Sequence, residues 1–300
     1  MNVPTVEELM IIVERIRRFK YLPFNEGSLR VIKDGTIKFT RPSEFNDPFD
    51  CAPDYETGNI ENYLDLRPEL VTGAGKLLRL SPAQTNQEKR AMTKRLEIAA
   101  DNGEFSKQLS DSVGICSLTR DPLNLLMWAH YAQHHKGFAV EFDIPVQAET
   151  VADELPTNYL LDWMVPYEVK YETCKPVVSF FDAPVVKMSK QFLVKGEDWA
   201  YEQEERVIDY IRGQGIHEYD RRMVLHSVIA GMKIEDSDYA VLVESINKVN
   251  QDLNLEIKVY KVEPIAVKGR FELYVPGRND LIRSTYLTNQ SMSVCLDTNF

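Results

Sequence analysis

The amino-acid sequence predicts an α+β fold, in which a mixed, mostly antiparallel sheet forms the core and helices flank it. Short alternating apolar segments, typical of strands, recur between longer segments with helical periodicity. The two kinds of segment do not follow the strict order of a βαβ fold, which favours a mixed sheet over a parallel one. Neither G-x-G-x-x-G nor G-x-x-x-x-G-K-[ST] occurs, so no motif supports a Rossmann fold or a P-loop.

The N-terminal part of the chain predicts a helix, a second helix, a strand and a loop. Apolar residues recur at helical spacing over residues 5–19. Residues 28–34 have the pattern of a short helix, and Gly35 is of the type that often ends one. Residues 36–40 alternate between apolar and polar side chains, as in a strand. Two prolines in RPSEFNDPFD then predict a turn-rich loop at residues 41–50.

The remaining chain predicts a continuation of the same domain with a helical insertion. Residues 58–110 are charged and mostly helical, with few strand signals. Strands are predicted at residues 113–118, 138–142, 167–171, 206–211, 255–262 and 271–275, and helices at residues 122–134, 185–194 and 236–249. We therefore expect a single α/β-type domain over residues 1–300, with an insertion at about 58–110 and a loosely ordered tail at about 281–300.

The composition is that of a globular protein with an acidic surface. Apolar residues make up 44% of the 300 residues and charged residues 27%, which suffices for a sizeable core. The formal net charge of -11 repels nucleic-acid backbones, so non-specific DNA or RNA binding is not expected. Neither a long apolar run nor a signal-peptide cleavage pattern occurs, which predicts a cytoplasmic protein without a membrane partner.

Candidate functional residues fall in four short segments, of which the first is LLMWAHYAQHHKG. As a helix, this segment places His130, Tyr131 and His134 on one face, and Trp128 lies on an overlapping stripe. Aromatic rings stack on flat ligands, and imidazole and phenol groups donate and accept hydrogen bonds. The alternative is an amphipathic core helix with a polar edge, since aromatic stripes are common in cores.

The same helix carries two histidines at the spacing of the HExxH zinc motif. His130 and His134 are four residues apart, but Tyr131 stands where that motif has its general-base glutamate. Spacing indicates no third ligand, so no metal is favoured. A zinc ribbon is not expected either, because the four cysteines form no CxxC pair.

The second segment, GEDWAYEQEERVIDY, is rich in carboxylates. If it is extended, Glu202, Glu204 and Arg206 point to one face. Carboxylates that lie close together perturb each other's protonation, which is useful in catalysis. Trp199 and Lys195 would add a stacking surface and a cation. The alternative is a ladder of salt bridges on a solvated strand.

Two shorter segments complete the set of candidates. Asn46 and Asp47 precede a proline, where such side chains either line a ligand or only hold a turn. Ser117 ends a predicted buried strand and is placed to contact a ligand. Its neighbour Cys116 lies among apolar residues, which favours a core position over a role as nucleophile.

Together these four segments resemble a known bacterial family. The segments FTRPSEFNDPFD, ICSLT, LLMWAHYAQHHKGFAVEFD and KGEDWAYEQEERVI follow one another in the order and spacing of the domain of unknown function 2971 family. The hallmarks are an fNDPf loop, an MWaHYa..HkG helix and a W.yE.E.R strand. The resemblance covers about residues 20–235 and implies membership, but the family name implies no activity.

The order of elements is also similar to that of the ADP-ribosyltransferase superfamily. That fold begins with a strand, a short helix that ends in glycine, and a second strand, and Phe19–Leu22, Ser28–Gly35 and Thr36–Thr40 would fill these places. It ends with a strand that bears the catalytic glutamate, often in an E-x-E pattern. Glu202 and Glu204 match that pattern.

This second resemblance implies an enzyme that consumes NAD as a substrate. Glu204 would hydrogen-bond the nicotinamide ribose and stabilise an oxocarbenium-like state, and Glu202 would orient the acceptor. Tyr131 or Ser117 would lie beneath the nicotinamide. The rest of the nucleotide would contact Trp128, Trp199, His130, Lys195 and Arg206, with Asn46 and Asp47 at the rim.

Three interpretations of the function therefore stay open. The favoured one is an NAD-consuming, ADP-ribosyltransferase-like enzyme with a macromolecular acceptor, acting as a toxin or antiphage effector. The second is a hydrolase or nuclease-type effector that uses His130, His134 and carboxylates. The third is a non-catalytic ligand-sensing module, in which the same residues form a ligand pocket or a core.

Overall fold

The computed structural model describes residues 14–146, 161–267 and 270–281. Contacts divide these residues into two compact units, each with its own apolar cluster. The first unit contains the described parts of Met1–Thr40, Gly114–Glu168 and Trp199–Ser291. The second unit contains Arg41–Val113 and Val169–Asp198. The single domain expected over residues 1–300 stays a prediction.

Short strands and helices follow one another irregularly along the chain. The strands are β1 (Glu14–Leu22), β2 (Thr36–Phe39), β3 (Asp54–Tyr55), β4 (Gly114–Thr119), β5 (Phe138–Val146), β6 (Tyr167–Glu168), β7 (Lys170–Glu172), β8 (Val177–Val178), β9 (Val194–Gly196), β10 (Glu204–Asp209), β11 (Gly215–Glu218), β12 (Leu225–Ala230), β13 (Lys258–Lys261), β14 (Glu263–Val267) and β15 (Arg270–Tyr274). The helices are α1 (Glu26–Lys33), α2 (Ile60–Leu66), α3 (Pro68–Leu77), α4 (Pro82–Asp101), α5 (Glu104–Asp111), α6 (Leu125–Tyr131), α7 (Pro184–Phe192), α8 (Arg221–Val224) and α9 (Asp236–Leu253). Within the described residues, no helix has both the length and the apolar character that a bilayer span requires.

The first unit is built on a seven-stranded sheet with the order β13-β12-β5-β1-β4-β10-β6. Its described strand pairs are antiparallel, except that β12 and β13 run parallel. Apolar residues of α1 and α9 pack against the sheet. This arrangement confirms the predicted α+β class with a mixed, mostly antiparallel sheet.

Strand β1 lies at the centre of the sheet, where the sequence predicts a helix. Residues 14–22 pair with β5 along their whole length, and Phe19 is also the partner of a residue on β4. The helix predicted over residues 5–19 is therefore wrong for its last six residues, and residues 5–13 lie outside the described residues. Two strand partners supply this segment with backbone hydrogen bonds, and such long-range pairing overrides a local helical periodicity.

Most other predicted elements are present, with shifted ends. The strands expected at residues 36–40, 113–118 and 138–142 are β2, β4 and β5. The insertion expected at 58–110 contains α2, α3, α4 and most of α5. The sequence patterns do not predict β12, although it lies between β5 and β13. The predicted tail lies outside the described residues from residue 282 onward.

Both faces of the central strand β5 are buried. On one face, Phe138, Val140 and Phe142 pack with apolar residues of α1 and α9. On the other face, Ala139 belongs to a second apolar cluster, which includes α6. A strand that is covered on both faces is usually a continuous apolar run, and this one departs from that rule at Glu141.

Glu141 is a fully buried carboxylate that three side chains satisfy. Arg278 donates to both of its oxygens, at 2.7 and 2.8 Å, and Arg17 donates to Oε1 at 2.9 Å. Ser227 of β12 donates to Oε2. Arg278 also donates to both oxygens of Asp280, at 2.8 and 2.9 Å. A buried charge is costly unless it is paired, so Glu141 requires Arg278 beside it. This requirement holds the segment after β15, which carries Arg278, against the sheet.

The substitution Glu141→Gln should lower the free energy of unfolding by about 3–5 kcal/mol, because it leaves the buried Arg278 without its main counter-charge. Urea denaturation measures the loss. Glu26→Gln is the matched control, since Glu26 is exposed and pairs with Lys33 at 3.4 Å. Such a surface pair contributes at most about 1 kcal/mol. Equal losses in the two variants would contradict a central role for Glu141.

The same network should make stability depend on pH. Burial opposes the ionisation of Glu141, but hydrogen bonds from Arg278 and Ser227 outweigh it and hold the pKa of Glu141 below its usual value. Hydrogen bonds from Arg278 lower the pKa of Asp280 to about 2. A carboxyl group with a depressed pKa stabilises the fold above its unfolded pKa of about 4, and this contribution disappears as the pH falls through the folded pKa.

We therefore expect the native protein and Arg278→Met to differ less in unfolding free energy as the pH falls from about 5 to about 2. At pH 7 only the native protein gains from pairing these carboxylates with Arg278. Urea denaturation at each pH gives the difference. A difference that stays constant over this range would show that the pair does not depress the pKa values.

Candidate functional site

Helix α6 is shorter than the sequence predicts, because Asn124 caps its start. The Asn124 Oδ1 accepts hydrogen bonds from the backbone N–H groups two and three residues ahead, at 2.9 and 3.3 Å. Its Nδ2 donates to the carbonyl of Tyr201 at 2.8 Å. The helix ends at Tyr131, so the predicted span of residues 122–134 is wrong at both ends.

A left-handed turn follows α6 and separates the histidines. Gln133, His134 and His135 have φ values of 49, 54 and 70°. His130 and His134 therefore do not share a helical face, and the face predicted for them with Tyr131 is wrong at His134. The spacing of His130 and His134 resembles that of a zinc helix, but the helix ends before His134. In the part of the chain that the structure describes, no group of three or more His, Cys, Asp or Glu side chains is placed to hold a metal ion.

The glycine of the HkG motif has a packing role. A Cβ atom on Gly137 would lie 2.1 Å from the carbonyl oxygen of Leu22, at the end of β1. A Cβ atom on Gly231 would likewise lie 2.2 Å from the carbonyl oxygen of His135. The turn after α6 therefore passes so close to its neighbours that only glycine fits at these two positions.

Trp128 lies in the core of the first unit. Its side chain has no exposed surface, its indole N–H donates to the carbonyl of Pro122 at 2.9 Å, and its ring meets Tyr21 edge to face. This arrangement agrees with the alternative of a core helix. A stacking contact between Trp128 and a ligand would require the ring to leave this packing.

The two glutamates of the E-x-E pattern do not lie on one extended strand. Glu202 ends a short 3-10 helix, Gln203 has a φ of 44°, and β10 begins at Glu204. The expectation that strand periodicity places Glu202 on the face of Glu204 and Arg206 is therefore wrong, because the chain turns at Gln203. The Thr119 hydroxyl donates to the Glu202 carbonyl at 2.6 Å and braces this turn.

Glu202 instead meets the end of α6. The Tyr131 hydroxyl donates to Glu202 Oε1 at 2.5 Å, and the Glu202 side chain is buried. The ring of Tyr131 is 6.4 Å from that of His130, which is 6.5 Å from the ring of Tyr201. The Tyr201 ring lies 6.2 Å from that of Trp199. We call these four rings the aromatic row; all are at least partly exposed, and the row ends at a buried carboxylate.

Glu204 and Arg206 form a buried ion pair with two hydrogen bonds. Two nitrogens of Arg206 donate to different oxygens of Glu204, at 2.8 and 2.9 Å, and neither side chain is more than 5% exposed. The sequence allowed a ladder of salt bridges on a solvated strand as the alternative for this segment, but this pair is buried. Ser117 of β4 lies directly opposite Arg206, so their side chains share a face of the sheet. This geometry holds the Glu204 carboxylate in one orientation.

The next carboxylate along β10 points to the other face of the sheet. Glu205 pairs with Arg18 of β1, and its Oε1 lies 3.8 Å from Nε of Arg120. Side chains alternate along a strand, so Glu204 and Glu205 lie on opposite faces. Glu205 is therefore a matched control for Glu204, because it has the same residue type, strand and burial.

Cys116 has the core position that the sequence predicts. It is fully buried, and burial raises the pKa of its thiol above the usual value although nearby Lys20 lowers it. The Lys20 Nζ donates to the carbonyl of Ser117 at 2.9 Å. A thiol in this setting stays protonated at neutral pH and is a poor nucleophile.

Three of the predicted site residues belong to the second unit. Lys195 Nζ lies 3.6 Å from Asp50 Oδ2, and both side chains are buried. Asn46 is exposed, whereas Asp47 is buried. The Asp47 Oδ1 accepts a hydrogen bond from the Phe49 N–H at 2.9 Å, as expected for a residue that holds a turn.

Sequence reasoning missed three residues that shape the site in the first unit. Asn124 and Thr119 hold the backbone at the start of the E-x-E segment. Asn124 stands directly before an apolar run, which is a sequence signal for an N-cap, whereas no local signal indicates the contact of Thr119. Gln203 is buried, and its Nε2 has no hydrogen-bond partner among the described residues. Buried polar groups usually have a hydrogen-bond partner, so this donor is an exception.

Comparison with known proteins agrees with two of the four motif segments, those of α6 and β10. Residues 127–207 match the model of the family described as "Protein of unknown function (DUF2971)". The matched segment contains Tyr131, Glu202 and Glu204, and it runs from α6 into β10. Neither a curated protein nor a solved structure matches the chain significantly. The family match supports the relationship to the domain of unknown function 2971 family.

The substitution Gly137→Ala should lower the free energy of unfolding by at least about 2 kcal/mol, because the new Cβ atom would overlap the Leu22 carbonyl. Gly73→Ala is the control. Gly73 lies within α3, no atom lies within 4 Å of the place that its new methyl group would take, and alanine favours helix by about 1 kcal/mol. Thermal unfolding of both variants tests this contrast, and a Gly137→Ala protein as stable as the native one would contradict the close approach.

Proposed function

We propose that the first unit carries the site of an NAD-consuming enzyme of the ADP-ribosyltransferase type. The observation that supports this most is the aromatic row, in which Tyr131 donates a hydrogen bond to Glu202. The segment that contains Glu202 also contains the Glu204–Arg206 pair. Partly exposed rings suit the flat groups of a dinucleotide, and a rigid carboxylate suits positive charge on a ribose. The order β1, α1, Gly35 and β2 also agrees with the start of that superfamily's fold.

In the proposed reaction, Glu204 accepts a hydrogen bond from the nicotinamide ribose. The bond between the ribose carbon and the nicotinamide nitrogen breaks, and nicotinamide leaves with the electron pair. The Glu204 carboxylate, held in place by Arg206, stabilises the oxocarbenium-like state that this leaves. An acceptor nucleophile then bonds to the ribose carbon, and its proton passes to Glu202. Gln203 Nε2 supplies an N–H donor for the bound dinucleotide.

The acceptor in this proposal is a macromolecule. A transferase that attaches ADP-ribose to a cellular component inactivates it, which suits a bacterial toxin or an antiphage effector in the cytoplasm. The Tyr131 hydroxyl orients Glu202 toward the acceptor through their 2.5 Å hydrogen bond. The partly exposed Trp199 and Tyr201 rings at the other end of the row would hold the adenine or the acceptor.

A non-catalytic ligand-sensing module is the second candidate. The complete burial of Trp128 and the buried Glu204–Arg206 pair favour it, because both features stabilise a fold without any chemistry. The hydrolase or nuclease alternative relied on the shared helical face of His130 and His134. Because α6 ends before His134, that shared face is absent, and the main observation in favour of this alternative is missing.

The decisive experiment follows nicotinamide release from NAD by chromatography, for the native protein and for Glu204→Gln. We expect release by the native protein and a loss of at least about 100-fold in the variant, because removing a preorganised group that stabilises transition-state charge has effects of this size. Glu205→Gln is measured in parallel. It also breaks a buried arginine pair, with Arg18, but on the opposite face of the sheet, so its activity should stay within about threefold of native.

The comparison of the two variants separates catalysis from stability. Both should lose stability, because each removes a buried carboxylate that pairs with an arginine. Equal activity in the two variants would contradict a catalytic role for Glu204. An absence of nicotinamide release, with and without cell lysate as acceptor, would instead support the sensing module.

A further inference from the structure

The second unit contains a cavity of about 430 Å³ beside the loop that carries Asp47. This volume falls in the range of small-molecule binding sites. The polar side chains that line it include Asp47, Asp50, Asp54, Ser106, Ser110 and Lys175. No residue that lines the cavity belongs to the aromatic row, which is part of the first unit, and the inference does not rest on the proposed function.

Four carboxylates line the cavity; one of them, Asp101, is exposed, and two others have a lysine as partner. Asp54 Oδ1 lies 2.6 Å from Lys175 Nζ, and Asp50 Oδ2 lies 3.6 Å from Lys195 Nζ. Asp47 differs from both. It is only 6% exposed, its Oδ1 accepts one backbone hydrogen bond from Phe49, and no Lys, Arg or His of the described residues lies within ion-pair distance of it.

A buried carboxylate without a counter-charge is costly, and proteins usually pair such a group or remove it. Here the group lines an open cavity, so a cation can reach it from outside the chain. We propose that this cavity binds a small molecule through a primary ammonium group, with Asp47 as the counter-charge. The ammonium group of such a ligand supplies the positive charge that no described Lys, Arg or His places within ion-pair distance of Asp47.

The geometry favours an ammonium over a guanidinium group. The Asp47 Oδ1 is already engaged by the Phe49 N–H, which leaves Oδ2 as the main acceptor. A guanidinium pairs best with both oxygens of a carboxylate, whereas an ammonium is a point charge that needs only one. The remaining N–H groups of an ammonium need further acceptors, and the buried hydroxyls of Ser106 and Ser110 line the same cavity.

Calorimetric titration of the full chain with n-butylamine, putrescine, methylguanidine and n-butanol tests the proposal. We expect n-butylamine and putrescine to bind, methylguanidine to bind more weakly, and the neutral n-butanol not to bind. This series needs no substitution, so it is independent of any folding defect. Binding of n-butanol as tight as that of n-butylamine, or no binding of either amine, would overturn the proposal.

The variants Asp47→Asn and Asp54→Asn locate the charge that binds. Asp47→Asn should weaken amine binding by at least about tenfold, because it removes the counter-charge. Asp54→Asn, which alters a carboxylate that Lys175 already pairs, should change it by less than about threefold. Unchanged amine binding in Asp47→Asn would overturn the proposal.

Thermal unfolding without ligand gives a second readout. Asparagine keeps an oxygen for the Phe49 N–H but carries no charge, so Asp47→Asn should unfold at a higher temperature than the native protein. Asp54→Asn should not. A lower unfolding temperature for Asp47→Asn would show that the chain already satisfies this carboxylate and would overturn the inference.

Discussion

Two carboxylates lie in one row across a buried face of the seven-stranded sheet. The row crosses β10, β4, β1, β5 and β12 at Glu204, Thr119, Phe19, Glu141 and Ser227. A carboxylate in such a position costs free energy unless an opposite charge and hydrogen bonds accompany it. Arg206 meets this requirement for Glu204, and Arg278 meets it for Glu141. These two pairs allow the sheet to bury both carboxylates.

The two pairs differ in what they organise. Arg278 comes from the segment after β15, so its pair with Glu141 joins distant parts of the chain. Arg206 comes from the same strand as Glu204, and its two hydrogen bonds hold that carboxylate in one orientation. The hydroxyl of Thr119, in the same row, reaches the turn before β10. This row of residues across the sheet therefore contains both a pair that stabilises the sheet and a pair that orients a carboxylate of the candidate site.

Local sequence patterns predicted a large part of the fold, and they named the residues of the candidate site, which stays a prediction. The class, α1, β2, β4 and β5 follow from periodicity and turn residues that each segment carries by itself. The site residues follow from the concentration of aromatic and carboxylate side chains in two segments, and the family match covers these same segments. β12 was missed because Ser227 interrupts its apolar pattern, and that buried serine has hydrogen bonds with Glu141 and Arg278, which lie far away in the sequence.

The sequence by itself determined which segments are helical or extended where the signal is local, and which residue types the site contains. Only the tertiary structure decided that residues 14–18, for which periodicity predicts a helix, belong to a central strand, because the hydrogen bonds of a strand come from its neighbours. It also decided that Trp128 is buried and that Glu202 meets Tyr131 rather than the strand face of Glu204. Those outcomes depend on a positive φ at Gln203 and on contacts between segments far apart in the chain, which local periodicity does not encode.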